Sequence, residues 1–171
     1  DIVTDKHGRV RVKFPWDLTA ADKGGTASCW VRVAQNWAGQ GWGFQFIPRV
    51  GMEVIVQFID GDPDHPLVTG CVYNGEYPPP FAVPDNKTQT GWRTNSSPGG
   101  GGFNELRFED AKGAEEIFVH AQLDMNRMVL RDDTLFVGNN QTEAVIVDRV
   151  ASVGNNETMS VAVDQTLDVG Q

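Results

Sequence analysis

The last quarter of the chain repeats every eight residues. Each repeat opens with a valine, carries Asp or Asn three positions later, and has a β-branched residue two positions after that. A second period of sixteen alternates glycine with a larger apolar residue directly after the valine. A fixed period restricts the possible folds more than composition does. The repeat positions are the valines Val129, Val137, Val145, Val153, Val161 and Val169, the Asx residues Asp132, Asn140, Asp148, Asn156 and Asp164, the β-branched residues Thr134, Thr142, Val150, Thr158 and Thr166, and the glycines Gly138, Gly154 and Gly170.

This period predicts one short strand and one bend per repeat. Eight residues match neither two turns of an α-helix nor a heptad. Valine and threonine favour strands, whereas Asn and Asp favour bends because their side chains bond the local backbone. Glycine permits close backbone approach. We therefore expect the valines to line a core with the β-branched column beside them, and the Asx and glycine columns to turn the corners.

One copy of the repeat cannot stabilise itself. Burying one valine contributes roughly 1.5–3 kcal/mol, while ordering the backbone costs about 1–2 kcal/mol for every residue. A chain that coils alone needs about twenty residues per coil. The pattern therefore favours copies that wind together around a shared valine-lined axis, with three strands per layer. The alternative is a flexible polar tail, which would not require valine in register.

Composition narrows the class of protein further. The 171 residues include 19 Gly and 9 Pro with little helical periodicity, which indicates an all-β protein. A net charge of −9 argues against binding a nucleic-acid backbone. No apolar run reaches the roughly twenty residues of a membrane helix, and no signal-peptide pattern is present. The start at Asp1 without a methionine suggests a piece of a longer protein.

The first part of the chain predicts a small barrel. Residues 1–75 are expected to form a five-stranded OB-fold. The strand over 53–59 is almost wholly apolar, which predicts burial on both faces. Cys29 and Cys71 lie in apolar runs and are expected to be buried thiols. The five predicted strands cover residues 8–14, 28–35, 44–47, 53–59 and 67–73.

Three further segments follow the predicted barrel. Residues 76–103 are rich in Pro and Gly and predict a linker. Residues 104–125 predict a β-hairpin neck, since apolar residues alternate on both sides of a short polar turn. Residues 126–171 contain the repeats, and the sequence stops within a repeat, so we expect the shaft to continue beyond Gln171.

No catalytic, metal or cofactor site is expected. Asp60, Asp62 and Asp64 resemble the start of a calcium loop, but His65 and Cys71 stand where glycine and glutamate are required. An acidic surface turn is the preferred interpretation. The three histidines lack the spacing of metal ligands.

Other candidate groups have simpler interpretations. The carboxylate pairs Glu105/Glu109 and Glu115/Glu116 are expected to be exposed hairpin charges. Trp30, Trp37 and Trp42 could stack on single-stranded nucleic acid, but the acidic balance favours core or subunit-contact roles. The candidates offer no nucleophile–base pair, which argues against an enzyme.

Several stretches together resemble one protein family. They are, in order along the chain, residues 5–16, 28–33, 37–43, 47–56, 61–66, 73–74, 86–89 and 101–110, followed by the repeats. With these stretches the sequence closely resembles VgrG, the spike protein of bacterial type VI secretion, and is similar to the tail-needle protein of contractile phages. The resemblance covers nearly all of residues 5–171.

The resemblance implies a homotrimer with an OB-fold collar above an intertwined triple-stranded β-helix. It implies partners of three kinds: a tube of Hcp rings, a PAAR tip protein at the far end of the shaft, and effector or adaptor proteins. The domain that docks on the tube is missing from this sequence. The resemblance also implies residence in the bacterial cytoplasm before firing, followed by injection through a target membrane.

Three functions are therefore carried forward. The first is a mechanical, non-enzymatic spike segment that punctures membranes and carries effectors. The second is a docking or adaptor platform for effectors, formed by the OB-fold and the neck. The third, which the net charge disfavours, is an OB-fold that binds nucleic acid.

Overall fold

A computed structural model describes residues 1–17 and 28–166 of the chain. Two of the repeat residues, Val169 and Gly170, lie outside the described residues. The chain divides into two compact units, Asp1–Asn126 and Arg127–Gln171. The described parts contain strands and one short 3₁₀ turn, which confirms the all-β prediction. No described helix is long and apolar enough to cross a membrane.

The first sheet has three strands in the order β1-β3-β2. The strands are β1 (Arg32–Val33), β2 (Glu53–Phe58) and β3 (Pro66–Val72), and a 3₁₀ turn (Ile59–Gly61) follows β2. β1 runs parallel to β3, whereas β2 pairs with it antiparallel and shifts register between Ile55 and Val56. β1 and β3 lie far apart in the sequence, and their pairing joins these distant segments in one sheet.

A small apolar core lies against this sheet. It consists of four buried valines, with half-buried apolar side chains packed around them. Val10 and Val31 exchange backbone hydrogen bonds at 2.9 and 2.8 Å, which brings the N-terminal segment onto the sheet. Because distant segments each supply a member, this core forms within a single copy. The buried valines are Val10, Val12, Val31 and Val68.

Two predicted strands are nearly absent from the described structure. Over residues 8–14, only Val10 forms a bridge, because the Val12 N–H donates to the Ser28 hydroxyl oxygen instead. Over residues 44–47 no ladder forms. There the Gln35 side chain takes the place of a strand, since its amide donates to the Phe46 carbonyl and its oxygen accepts from the Phe46 N–H, both at 2.9 Å. A closed five-stranded barrel stays a prediction.

Two burial predictions in this region are wrong. β2 alternates between half-buried and exposed residues, and Ile55 is 47% exposed, so the strand is not covered on both faces within one copy. Cys29 and Cys71 are both free and exposed. Both predictions assumed that an apolar run of sequence is buried. A three-stranded sheet with a core of four valines cannot cover both of its faces, so part of each run stays exposed.

The second sheet has the order β4-β5-β6 and is antiparallel throughout. β5 (Glu105–Glu109) and β6 (Glu116–His120) form the hairpin that the alternating pattern predicts, with Gly113 in the left-handed region at φ 86°. β4 (Gln89–Arg93) was missed, since it lies in the predicted linker and lacks alternation. Its Gly91 allows close approach, because a β-carbon there would lie 2.2 Å from the Leu106 carbonyl oxygen. The domain boundaries themselves stay a prediction.

The second unit contains no strand over residues 127–166. Its backbone bends once per repeat, and every described side chain in this range is exposed. The eight-residue period of the sequence is therefore also a period of the backbone. The bends fall at residues 130–131, 138–139, 146–147, 154–155 and 162–163.

Candidate functional site

The first-position valines form a regular half-open row. The five described members are between 42% and 52% exposed, whereas other apolar side chains of the same repeats reach 98% at Ile146 and 93% at Val150. About half of the surface of each valine is thus open within one copy. A row of equally spaced apolar groups is a surface that further strands can cover. The axial role of these valines, and of the β-branched column, stays a prediction.

Within one copy, neither backbone conformation nor close contact requires glycine at the two described glycine positions of the repeat. Gly138 and Gly154 lie in the bends, but neither adopts a left-handed φ. A β-carbon added at either position would meet no described atom within 4 Å. The Asx residues follow each bend by one position. Since the chain itself leaves space at the glycines, the constraint that requires them is expected to come from another copy.

The second sheet has two faces of opposite character. Residues directly opposite in an antiparallel ladder share a face, and the register therefore assigns every residue. We call one side the apolar sheet face and the other the charged sheet face. The apolar sheet face consists of Thr90, Trp92, Leu106, Phe108, Ile117 and Val119. The charged sheet face consists of Gln89, Gly91, Arg93, Glu105, Arg107, Glu109, Glu116, Phe118 and His120.

The charged sheet face is closed by its own side chains. Glu105 is 5% exposed, because Arg107 at 2.8 Å and Arg93 at 3.7 Å lie over its carboxylate. Arg107 also pairs with Glu116 at 3.2 Å. A buried carboxylate needs such partners, since an unpaired one would be strongly unfavourable. The prediction that Glu105 is an exposed hairpin charge is wrong.

An aromatic layer completes this face. The Arg93 guanidinium lies 3.8 Å from the ring centre of Phe103, and Arg107 lies 4.6 Å from that of Phe118. His120 stacks on Phe103 with ring centres 4.5 Å apart. Cations over aromatic rings are attracted by the ring quadrupole. The sequence signal for this network was the two-residue spacing of Glu105 and Arg107, which puts both on one face of a strand.

Glu109 lies at the end of the same face and is half-buried. Hydrogen bonds from the Thr88 side chain and from the Ala111 N–H hold the pKa of the Glu109 carboxyl below its ordinary value. The Ala111 N–H donates to a Glu109 carboxylate oxygen at 2.8 Å. Glu109 therefore fixes the hairpin end to the start of β4, and these hydrogen-bond donors stabilise its ionised form.

The tryptophans predicted as core or contact residues differ in their surroundings. Trp30 is half-buried, and the Arg11 guanidinium lies 4.6 Å from its ring centre. Trp37 and Trp42 are 60% and 57% exposed and meet edge to face at 4.8 Å. Gly39 leaves room for the Trp42 ring, since a β-carbon there would lie 2.3 Å from it. Residues 37–43 thus hold two indole rings at the surface of one copy.

The acidic turn is organised by hydrogen bonds between its own residues. Asp60 has a left-handed φ of 53°. The Asp64 N–H donates to an Asp62 carboxylate oxygen at 2.9 Å, and His65 lies 3.1 Å from the other oxygen. Within residues 1–17 and 28–166, no three His, Cys, Asp or Glu residues are grouped to hold a metal.

A second polar turn anchors the N-terminus. The Asp5 carboxylate accepts N–H bonds from His7 and Arg9, each at 3.0 Å, and pairs with the Arg9 guanidinium at 2.7 Å. Loss of solvent raises the pKa of Asp5, but the bonds from the Arg9 side chain and the two backbone N–H groups prevail and lower it from 3.8 to about 2. Ionised Asp5 is therefore part of the folded turn.

A single copy leaves a large surface uncovered. Its accessible area is 15346 Å², whereas a compact monomer of 18.8 kDa exposes roughly 8300 Å². The excess is larger than the area that obligate complexes usually bury, about 2000–5000 Å². The apolar sheet face and the valine row belong to this excess. Association with another protein chain is thus the function that these exposed apolar surfaces favour.

Comparison with known protein families gives two matches, and one of them is to a domain that self-associates. Residues 90–171 match the bacteriophage T4 gp5 C-terminal trimerisation domain. Residues 2–73 match the type VI secretion system/phage-baseplate injector OB domain. The two matches therefore place the chain in the class of phage-tail-like injector components, with an OB domain and a trimerisation domain.

Individual relatives narrow this class to one family. The chain is 54% identical over 142 residues to the type VI secretion system spike protein VgrG5 of Pseudomonas aeruginosa, which covers 82% of this chain and 18% of that protein. It is 51% identical over 147 residues to VgrG4b of the same organism, covering 85% and 18%. It is 47% identical over 141 residues to the actin cross-linking toxin VgrG1 of Vibrio cholerae, covering 82% and 13%. The chain belongs to the VgrG family of type VI secretion spike proteins, and it spans about a fifth or less of these relatives.

Proposed function

We propose that this chain is a segment of a homotrimeric, non-enzymatic spike, in which three copies share the valine row as a common core. The carrying observation is that row of five half-open valines, which repeats with the backbone bends and lies within the residues that match a trimerisation domain. A five-stranded OB barrel and a triple-stranded β-helix are the fold details that belong to this proposal.

The proposed work of the shaft is mechanical. Strands from three copies would hydrogen-bond to one another along its length, so that no layer can leave alone. A closed prism also has no free sheet edge for wrong pairing. Outward residues such as Gln141, Glu157 and Gln165 are exposed and polar, and they would keep the shaft hydrated as it moves. Ion pairs such as Arg149–Glu143 at 3.1 Å add charge to the same surface.

Penetration of a target membrane would be driven by an external contraction. The described residues contain no helix that could cross a membrane, and the proposed driving force is therefore the contraction and not an affinity for lipid. The protein would reside in the bacterial cytoplasm before firing and then be injected. Partners expected for such a spike are an Hcp tube, a PAAR tip protein and effector or adaptor proteins. The name of the Vibrio cholerae relative, an actin cross-linking toxin, supports cargo delivery.

The test of this proposal places charge inside the row. The Val145→Asp plus Val153→Asp variant would bury unpaired carboxylates in three-fold sets, which strongly opposes assembly. Gln141→Asp plus Gln165→Asp is the matched control, since it adds the same charge at outward positions. Light scattering measures the mass of each. We expect three chain masses for the wild type and the control, and loss of the trimer for the valine variant. A trimer that survives both aspartates would defeat the axial assignment.

A second candidate function is a docking platform for effectors, and one observation favours it. Trp37 and Trp42 contact each other edge to face with ring centres 4.8 Å apart, yet both remain more than half exposed in one copy. Aromatic side chains of this kind often anchor protein interfaces. Hydroxyl-radical footprinting of the assembled trimer separates the alternatives. Fast oxidation of both indoles would leave this surface open for a partner, whereas strong protection would assign it to contacts between copies.

A further inference from the structure

A polar groove lies between the end of β4 and the glycine-rich loop that follows it. Its volume is about 530 Å³, within the roughly 300–1000 Å³ that is usual for sites that hold small ligands. The chain carries 23 acidic and 14 basic residues, yet none of the described residues that line this groove is acidic. We call it the donor groove, because its polar lining is rich in N–H groups. Its lining includes Pro80, Arg93, Asn95, Gly101, Gly102 and Phe103.

The Arg93 guanidinium is positioned but not saturated. It lies 3.8 Å from the ring centre of Phe103, where a cation is attracted by the aromatic ring. Its distance to the Glu105 carboxylate is 3.7 Å, which is longer than a hydrogen bond, whereas Arg107 holds the same carboxylate at 2.8 Å. Within residues 1–17 and 28–166, no group accepts a hydrogen bond from the Arg93 side chain, which is 39% exposed. Its N–H donors are therefore open to a ligand.

Phe103 is itself held by three contacts. Its N–H donates to the Gln122 side-chain oxygen at 3.1 Å, and its carbonyl oxygen lies 3.1 Å from Nδ1 of His120. The rings of Phe103 and His120 also stack with centres 4.5 Å apart. The aromatic platform for Arg93 is therefore in place without a ligand, which reduces the cost of ordering side chains when one binds.

The glycine-rich loop contributes backbone donors to the same groove. Gly99, Gly100 and Gly101 have left-handed φ values of 80°, 76° and 89°. The loop is closed by the Ser96 N–H, which donates to the Gly102 carbonyl oxygen at 2.8 Å. Among the described residues, no acceptor is found for the N–H of Gly101 or Gly102. Successive N–H groups in a turn form concavities that bind anions.

These groups favour a carboxylate as the ligand. Arg93 offers a planar fork of N–H groups that matches two carboxylate oxygens, and the exposed Asn95 amide offers two further N–H donors. A phosphate would bring close to two negative charges near the Glu105 carboxylate, whereas a carboxylate brings only one. Pro80 and Phe103 supply an apolar part of the lining. A carboxylate next to an apolar side chain therefore fits the groove best.

We propose that the donor groove binds a peptide carboxylate of a partner protein. Arg93 pairs with both carboxylate oxygens, Gly101 and Gly102 donate from the loop, and the neighbouring apolar side chain of the peptide packs against the apolar part of the lining. Backbone N–H groups capture a peptide carboxylate in this way in other recognition sites. The site goes beyond the mechanical spike and uses neither of the exposed tryptophans, so it is tested independently of both candidate functions.

The first experiment compares two small probes that differ only in the carboxylate. N-acetyl-leucine carries it beside an apolar side chain, whereas N-acetyl-leucine amide is neutral. Each is titrated at neutral pH into the full chain, and NMR follows the amide signals of Gly101 and Gly102 and the Arg93 Nε signal. We expect saturable shifts with N-acetyl-leucine and about tenfold or more weaker binding of the amide, since hydrogen bonds to an ionised group are stronger. Absent shifts, or equal affinities for the two probes, would overturn the proposal.

Inorganic phosphate tests the chemical class of the ligand in the same titration. We expect it to bind more weakly than N-acetyl-leucine, because it carries more charge towards Glu105 and has no apolar side chain for the groove. Tighter binding of phosphate would overturn the carboxylate assignment.

Variants at Arg93 test its role directly. Arg93→Gln removes the charge and the fork and should weaken N-acetyl-leucine binding by about tenfold or more, whereas Arg93→Lys keeps the charge and should lose less. Arg131→Gln is the control, since it removes one charge at a side chain that is 92% exposed in the repeats. Wild-type affinity in Arg93→Gln would contradict the assignment. Thermal unfolding checks that each variant is folded, and the comparison of the two probes on the wild type stands without any variant.

Discussion

Residues 1–73 and residues 127–166 solve the problem of burying valine in opposite ways. In the first region, Val10, Val31 and Val68 come from distant parts of the chain and are almost completely buried within one copy. In the second, five valines at a fixed spacing are all about half exposed. The difference lies in pairing. Strands that return on themselves create a core inside one chain, whereas we propose that a chain that bends every eight residues obtains its core from other chains.

The second sheet combines both solutions. On its charged sheet face, the Glu105 carboxylate is paired within one copy with Arg93 and Arg107. Its apolar sheet face is left open, as the valine row is. Within residues 89–120, one face of the sheet is therefore covered by its own side chains and the other is open. We therefore expect mutations in residues 1–73 to change the stability of the fold within one copy, and mutations in the valine row to change association between copies.

The largest expected effect comes from a substitution that disrupts only the four-valine core of residues 1–73. Val31 is 1% exposed, and Val31→Asp would bury an unpaired carboxylate at a cost of about 4 kcal/mol or more. Residues 1–73 should lose protection from hydrogen exchange, while residues 127–166 keep theirs and the mass stays that of the trimer. Val50→Asp, at a site that is 66% exposed, is the control and should change neither. Loss of protection in both regions would show that the two cores are one cooperative unit.

A smaller effect is expected from one isosteric change made in two regions. Glu105→Gln removes the charge that faces two guanidinium groups, and it should lower the free energy of unfolding by about 1–2 kcal/mol, since both arginines are partly exposed. Glu157→Gln in the repeats lies at an exposed site and should change it by less than about 0.5 kcal/mol. Denaturant titration followed by circular dichroism measures both. Equal effects would mean that the Glu105 network adds nothing to stability.

The smallest expected effect is a pH dependence confined to the N-terminal turn. The pKa of Asp5 is lowered from 3.8 to about 2 in the folded chain, so its ionised form stabilises that turn at neutral pH. This stabilisation is fully present above the unfolded pKa and should be lost as pH falls from about 4 to about 2. Titration of the carboxyl carbon by NMR measures the midpoint directly. Asp5→Asn should remove the pH dependence, and a wild-type midpoint near 3.8 would contradict the expectation.

Much of the fold was accessible from sequence where the signal is local and periodic. Alternation of apolar residues located β5 and β6, and the predicted strands 53–59 and 67–73 located β2 and most of β3. The eight-residue pattern anticipated the spacing of the backbone bends. The axial and corner roles of the repeat residues stay predictions, because one copy shows only how exposed they are. The family resemblance agreed with the matched OB and trimerisation domains.

The misses share a cause. β4 has no alternation, and it pairs because Gly91 lets it approach β5 closely. Gln35 replaces a strand with its side-chain amide, which no local pattern reveals. Each of these depends on which segment lies beside which, and that is set by contacts between residues far apart in the chain.

The sequence by itself determined the strand-rich class, the repeat with its valine row, and the family. Those properties follow from residue type and spacing, which act locally. Only the tertiary structure decided that Glu105 is buried, that Cys29 and Cys71 are exposed, and that the second sheet presents an apolar side. Burial is a property of neighbours, and the neighbours of a strand are chosen by the packing of the whole chain and, along the valine row, by the copies that we propose to share it.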